Sequence, residues 1–303
     1  MDRRTFLGSV AASVVAARTA ALAQAPPQAQ AAPPAPGQAP VPAPVVHKKG
    51  VFKQGVTRGV FARGTSIEDC CKIAADAGIK GFDLIGPADW PTLKKYGLTP
   101  SMYQGSAGNI ANALNRKENH ERLAGTLHAA IDEAAANGVP NIITFSGNRN
   151  GMADAEGADN CVAFLDGVKA HAEDKQVTIC MEYLNSKVNH KDYMFDHIAW
   201  GVDVMTRVNS PRAKILYDIY HAQIMDGDLI RNIRTHFKWI GHFHTGGNPD
   251  RHDIDETQEI NYRAVMQAIA DLDFAGFVTH EYSPWPGHDP VATLKRAMEI
   301  CTV

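Results

Sequence analysis

Along residues 47–303, short apolar runs alternate with longer stretches in which apolar residues recur every three or four positions. The first pattern is that of a strand, the second that of an amphipathic helix. Strands are expected over 51–61, 80–85, 98–104, 141–145, 177–182, 213–218, 238–244 and 276–281. Helices are expected over 66–77, 90–96, 120–137, 158–174, 196–208, 228–236, 262–271 and 290–300. The punctuation agrees. Ser66 is placed to cap a helix with Glu68 and Asp69 in its first turn, and Gly138 stops another. Strands alternating with helices argue for a parallel sheet, and eight such units argue that it closes. About 250 residues is the usual size of a closed barrel of this kind. The expected class is therefore α/β, a (β/α)8 TIM barrel over 47–303.

Alternate side chains of a strand point to opposite faces. Thr178, Cys180 and Glu182 then share a face. So do Leu216 with Asp218, Ile240 with His242 and His244, and Phe277 with Thr279 and Glu281. In a barrel the inward faces form a packed core, and chemistry collects at the C-terminal rim. Glu182, Asp218, His244 and Glu281 are expected to meet there, one from each of four consecutive strands. Any one of them alone has an ordinary reading as a cap, an ion-pair partner or a hydrogen-bonded polar residue. The combination carries the inference.

Three carboxylates and one imidazole form a hard, mixed oxygen–nitrogen set. It suits a divalent metal, Mn²⁺, Mg²⁺ or Co²⁺, with positions left open for water or substrate. A metal that chelates a carbonyl and a neighbouring hydroxyl acidifies the C–H between them. Glu182 and Glu281 are placed to take that proton on one face and return one elsewhere. His221, three residues past Asp218, and Arg251, in the polar loop after the seventh strand, are candidates to hold substrate oxygens.

Charge and cysteine content narrow the partners. The net charge of −3 gives no reason to expect nucleic acid or an anionic membrane. The five cysteines show no metal spacing, and their odd number argues against a complete disulfide framework. A reduced, packed role is expected. The N-terminus differs from the rest. Asp2-Arg3-Arg4-Thr5-Phe6-Leu7-Gly8 and the apolar run behind it look like a twin-arginine export signal over 1–25. Residues 26–46, almost wholly Ala, Pro and Gln, form a linker that cannot bury a core. These features predict a periplasmic protein with no stable membrane insertion after cleavage. The expected partner is a small-molecule substrate, and homo-oligomerisation is left open.

Several motifs resemble the hydroxypyruvate isomerase family. They are Gly81-Phe82-Asp83-Leu84-Ile85-Gly86-Pro87, Asp89-Trp90-Pro91-Thr92-Leu93, Thr144-Phe145-Ser146-Gly147-Asn148-Arg149, Glu182-Tyr183-Leu184-Asn185-Ser186-Lys187, Tyr217-Asp218-Ile219-Tyr220-His221, Arg251-His252 and His280-Glu281-Tyr282. The resemblance implies the xylose-isomerase-like barrel superfamily. It implies metal binding by Glu182, Asp218, His244 and Glu281, an acid/base pair of Glu182 and Glu281, and substrate contacts from His221, Arg251, Asn185 and His252. Two departures stand out. Hydroxypyruvate isomerases tend to carry Gln where this chain has His244, whereas ketose 3-epimerases have His. The family's Pro-Gly-Arg-His is here Pro249-Asp250-Arg251-His252.

The reading these features support is a metal-dependent isomerase of a small hydroxycarbonyl compound. The alternatives are a ketose 3-epimerase, a lyase or hydrolase of keto-glycosides, and a non-catalytic sugar-binding protein. The superfamily's nuclease branch would call for a richer histidine cluster and a basic groove, and neither is evident.

Overall fold

The structure, a computed structural model, describes residues 46–303, the side chains of Ser106 and Ala107 excepted. The expected export signal over 1–25, and the linker over 26–46 apart from Val46, lie outside the described residues.

Eight parallel strands close in chain order among the described residues. They are β1 Lys53–Val56, β2 Gly81–Asp83, β3 Thr99–Ala107, β4 Asn141–Thr144, β5 Thr178–Glu182, β6 Ala213–Asp218, β7 Ile240–Thr245 and β8 Phe277–His280. The closing seam pairs β1 with β8, from Lys53 opposite Phe277 to Val56 opposite His280. The outer layer is α1 Ile67–Ala77, α2 Trp90–Lys95, α3 His120–Asn137, α4 Asp154–Lys175, α5 Ile198–Val208, α6 Ile219–Met225, α7 Leu229–His236, α8 Tyr262–Asp271 and α9 Pro290–Cys301. The expected (β/α)8 barrel is the fold.

Local chemistry explains the element ends. Ser66 Oγ accepts from the Asp69 amide at 3.0 Å, and Gly78 ends α1 with a φ of 93°. Such a cap contributes about 1 kcal/mol. β4 and β5 are buried along their whole length, as strands covered on both faces must be. Inside the barrel two strands approach closely at glycines. A methyl group on Gly55 would run into Thr279 Oγ1, and one on Gly81 into Ser101 Oγ. Overpacking of that kind costs about 1–3 kcal/mol.

Most boundaries shift by a few residues, and four differences from expectation bear on the fold. β1 is confined to Lys53–Val56, because Arg58–Val60 turns into a short 3-10 helix. α4 begins at Asp154, ahead of the expected 158, because its first turn is acidic and exposed and carries no apolar signal. α6 was not expected at all. Asp218 caps it by accepting from the His221 amide at 3.1 Å. The fourth difference is a correction of facing. Ile215 pairs with Ile240 and Leu216 with His242, so Gly241 is an extra residue in β7. Ile240 therefore faces opposite to His242 and His244, and the three do not share a face as expected.

All five cysteines are free and buried, in line with the expected reduced role. Among the described residues no helix is long and apolar enough to cross a membrane.

Candidate functional site

The C-terminal ends of β5, β6, β7 and β8 gather the four residues expected to meet. One potential ligand atom from each of Glu182, Asp218, His244 and Glu281 lies within 4.8 Å of the others. His244 Nδ1 is 2.6 Å from Glu281 Oε2, 3.3 Å from Glu182 Oε1 and 3.9 Å from Asp218 Oδ2. Asp218 and His244 are fully buried, and Glu182 nearly so. Glu281 is the residue after β8 rather than part of it, and its side chain keeps 27% exposure. That exposure leaves it facing an opening of about 470 Å³, lined by Thr57, Arg58, Leu84, Arg251 and His252 among others. The volume suits a small molecule.

Arg251 reaches into this group from the loop after β7. Its Nη2 donates to Asp218 Oδ2 at 2.5 Å and to Glu281 Oε2 at 2.7 Å. Its Nε donates to the Glu281 carbonyl at 2.8 Å, and its Nη1 lies 2.5 Å from His221 Nε2. The loop is tied down on both sides. Tyr262 Oη donates to the Gly246 carbonyl at 2.7 Å, and the Ser283 amide donates to the Arg251 carbonyl at 3.1 Å. His221 is buried, and Asn185 Nδ2 contacts its Nδ1 at 2.6 Å. Asn185 is fully buried, and its Oδ1 accepts from the Val188 and Asn189 amides. It therefore supports His221 and is not exposed to the opening. His252 lines the opening, stacks on Trp285 with ring centroids 3.5 Å apart, and contacts the Ser283 carbonyl.

The electrostatics separate the two glutamates. Burial pushes the Glu182 carboxyl above its ordinary value, and the charges of Glu281 and Asp218 push the same way. Burial acts on Glu281 too, but Arg251 and His244 outweigh it and hold that carboxyl low. Burial alone would lower the His244 pKa, yet Glu281, Asp83 and Glu182 hold it well above the usual imidazole range. His221 is driven the other way by burial and by the Arg251 charge. Two carboxyls pushed in opposite directions in one site form the usual frame for an acid and a base.

Two further residues belong to the site. Asp83, at the end of β2, is fully buried with Oδ2 2.6 Å from His242 Nε2 and 3.1 Å from His244 Nε2. Asp83, His242 and His244 also have ligand-type atoms within 4.8 Å of one another. Their separations are those of hydrogen bonds, so they form a hydrogen-bonded array. Sequence reasoning left both out of the site. The expected strand over 80–85 placed Asp83 inside it, which hid the strand-end signal that marked the other three acids. For His242 the signal was the two-residue spacing from His244.

A family model described as xylose isomerase-like TIM barrel matches residues 71–301. A 2-oxo-tetronate isomerase of Pectobacterium atrosepticum is 28% identical over 233 residues, covering 71% of this chain and 86% of that one. A Danio rerio protein provisionally named a hydroxypyruvate isomerase is 35% identical over 104 residues. That match spans 34% of this chain and only 38% of the Danio rerio protein. Among solved structures, an AP endonuclease, family 2, from Brucella melitensis superposes with a TM-score of 0.70 at 25% identity, over 80% of this chain and 96% of that one. D-psicose 3-epimerase of Clostridium cellulolyticum H10 superposes with a TM-score of 0.69 at 18% identity, over 82% and 98% of the two chains. At that identity the likeness speaks for the fold alone. A family model matched across most of the folded part, on a barrel closed strand by strand, means that the chain belongs to the xylose isomerase-like TIM barrel family.

Proposed function

We propose that this protein is a metal-dependent isomerase of a small hydroxycarbonyl compound, working by proton transfer through the substrate's enediolate. Isomerase is the class for which its curated relatives are named. The observation that carries the reading is the convergence of Glu182, Asp218, His244 and Glu281 within 4.8 Å at one mouth of the barrel.

The donor set fits a divalent cation. Three carboxylates and one imidazole nitrogen are hard or borderline ligands of the kind that Mn²⁺, Mg²⁺ or Co²⁺ accepts. His244 Nδ1 is buried with no hydrogen-bond partner among the described residues, although Glu281 is only 2.6 Å away. A cation would use the lone pair of that nitrogen. Arg251 supplies positive charge to Asp218 and Glu281, which is the same need a cation would meet.

When bound, the cation supplies Lewis acidity that acidifies the C–H beside a chelated carbonyl. The chain's own residues do the rest. Of Glu182 and Glu281, one carboxylate accepts the proton from carbon and the other returns a proton to the adjacent carbon. The substrate hydroxyl's proton passes to the former carbonyl oxygen, and the two carboxyls reset by exchange with water. Arg251, which lines the opening and is braced by His221, holds substrate oxygens and the developing negative charge. Product and substrate then have equal mass, and solvent hydrogen enters at carbon.

A second reading, epimerisation of a ketose at carbon 3, uses the same residues. It is favoured by the imidazole at position 244, where the resemblance drawn from the sequence associates His with 3-epimerases. One experiment separates and tests both. Protein supplied with Mn²⁺ is incubated in deuterated water with hydroxypyruvate, a four-carbon 2-oxo acid and free ketoses, and followed by NMR. Deuterium is expected at carbon in an equal-mass product, and product identity distinguishes isomerase from epimerase. Glu182→Gln and Glu281→Gln are each expected to slow the exchange by roughly 10²–10⁴-fold. Exchange at the wild-type rate in either variant would remove that residue from proton transfer.

A further inference from the structure

His244 offers its two ring nitrogens to two different neighbourhoods. Nδ1 faces Glu281, Glu182 and Asp218. Nε2 lies 3.1 Å from Asp83 Oδ2. A neutral imidazole presents Nδ1 to a cation only when its proton sits on Nε2, and a buried N–H requires an acceptor. Among the described residues, Asp83 is the acceptor within hydrogen-bond distance of that nitrogen.

Asp83 is well fixed for the task. β8 and β1 separate β2 from β7 in the closed order, so the Asp83 carboxylate reaches the His244 ring through the barrel interior and not from a neighbouring strand. It is fully buried. Oδ1 accepts from Ser101 Oγ, and Oδ2 accepts from His242 Nε2 at 2.6 Å as well as from His244. Three donors on one carboxylate leave it little freedom to rotate. His242 also packs edge-on against His244, with centroids 5.3 Å apart and an angle of 85°, closing one side of the ring.

We infer that Asp83 is a positioning residue, holding the proton of His244 on Nε2 and the ring in the one orientation that turns Nδ1 toward Glu182, Asp218 and Glu281. This inference rests on the metal-centre reading above. Asp83 borders the same opening, but its carboxylate is fully buried and engaged by Ser101, His242 and His244. It acts through His244, as outer carboxylates do for metal-bound histidines, where their loss costs about 10–100-fold in affinity. In Asp83→Asn a single carboxamide oxygen faces two imidazole N–H groups and a hydroxyl. The His244 ring is then free to rotate or to take the other tautomer.

The test uses chelator-stripped full-length protein and Co²⁺, read through its visible d–d absorption, with Mn²⁺ affinity measured by calorimetry. Asp83→Asn is expected to bind both ions about 10–100-fold more weakly than wild type, with a shifted Co²⁺ band. Equal affinity and an unchanged band would overturn the inference while leaving the metal centre standing. Failure of wild type to bind either ion would overturn the metal-centre reading and this inference with it. A second measurement needs no variant. In ¹⁵N-histidine-labelled wild type loaded with Mg²⁺, long-range NMR correlations should place the His244 proton on Nε2. A proton on Nδ1 would overturn the inference even if Asp83→Asn does not fold.

Discussion

Asp218 uses its two oxygens for different purposes. Oδ1 accepts from the His221 amide and starts α6, while Oδ2 takes the Arg251 guanidinium beside His244. A substitution there removes a helix cap and a site residue together, so its effects on fold and on function will not separate cleanly. Asp250 is simpler. Its φ is 71°, and that of Arg251 is 57°, both in the left-handed region. Such a conformation costs an ordinary residue roughly 1–2 kcal/mol, and glycine takes it freely. Asp250→Gly should therefore leave stability unchanged or raise it by up to about 1 kcal/mol, because glycine's looser unfolded chain offsets part of the relief. Asp250→Val should lower stability. Urea unfolding checks both, and a Gly variant less stable than the Val variant would contradict the reading of this loop. At this scale the four central residues were legible because each closes a two-residue periodicity that ends in an acid or imidazole. Asp83 was not singled out, because its strand spans only Gly81–Asp83, too short to display a period.

Elements were legible where a period ran long enough and obscure where tertiary contacts decided. β5 and β6 end at Glu182 and Asp218 as expected. The bulge at Gly241 was not visible, because pairing with β6 creates it and no local pattern marks it. α6, of seven residues, was missed because its start is a capping contact rather than an apolar repeat. Its end is held by Asp226. Oδ2 accepts from Tyr183 Oη at 2.6 Å and the Ile198 amide at 2.8 Å, and Oδ1 pairs with His197 Nδ1 at 2.6 Å. One carboxylate thus joins the segment after β5, the start of α5 and the end of α6. Burial works against its ionised form, but the Ile198 amide, the Tyr183 hydroxyl and His197 outweigh burial and lower its pKa. A carboxyl with a folded pKa below its unfolded value, ordinarily about 3.9, stabilises the fold above that value. The contribution is lost as pH falls through the folded pKa. Asp226→Asn should cost about 1–3 kcal/mol at pH 7, and the deficit should shrink as pH drops below about 4. Denaturation at both pH values tests this, and an equal deficit at each would show that the charge is not what matters.

The whole barrel was readable because closure needs only the count and alternation of units, and those survive boundary errors of several residues. What closure does for the site is bring ends of β5 through β8 together with Asp83 from β2, which meets His244 across a sequence separation of 161 residues. No local signal states which inward side chains meet across the barrel, so the link between Asp83 and His244 emerged only from the fold. The arrangement has a single physical requirement. Buried negative charge from Glu182, Asp218 and Glu281 needs positive charge among it, which Arg251 and His244 supply in this structure. The account holds that one divalent cation completes that balance in the working protein. The most direct measurement is the stoichiometry and affinity of Mn²⁺ for chelator-stripped protein, read from the electron paramagnetic resonance of free ion. One Mn²⁺ per chain is expected in wild type. Each of Glu182→Gln, Asp218→Asn, His244→Gln and Glu281→Gln is expected to weaken binding by more than the 10–100-fold typical of outer partners. No bound Mn²⁺ in wild type, or undiminished binding in all four variants, would contradict the account.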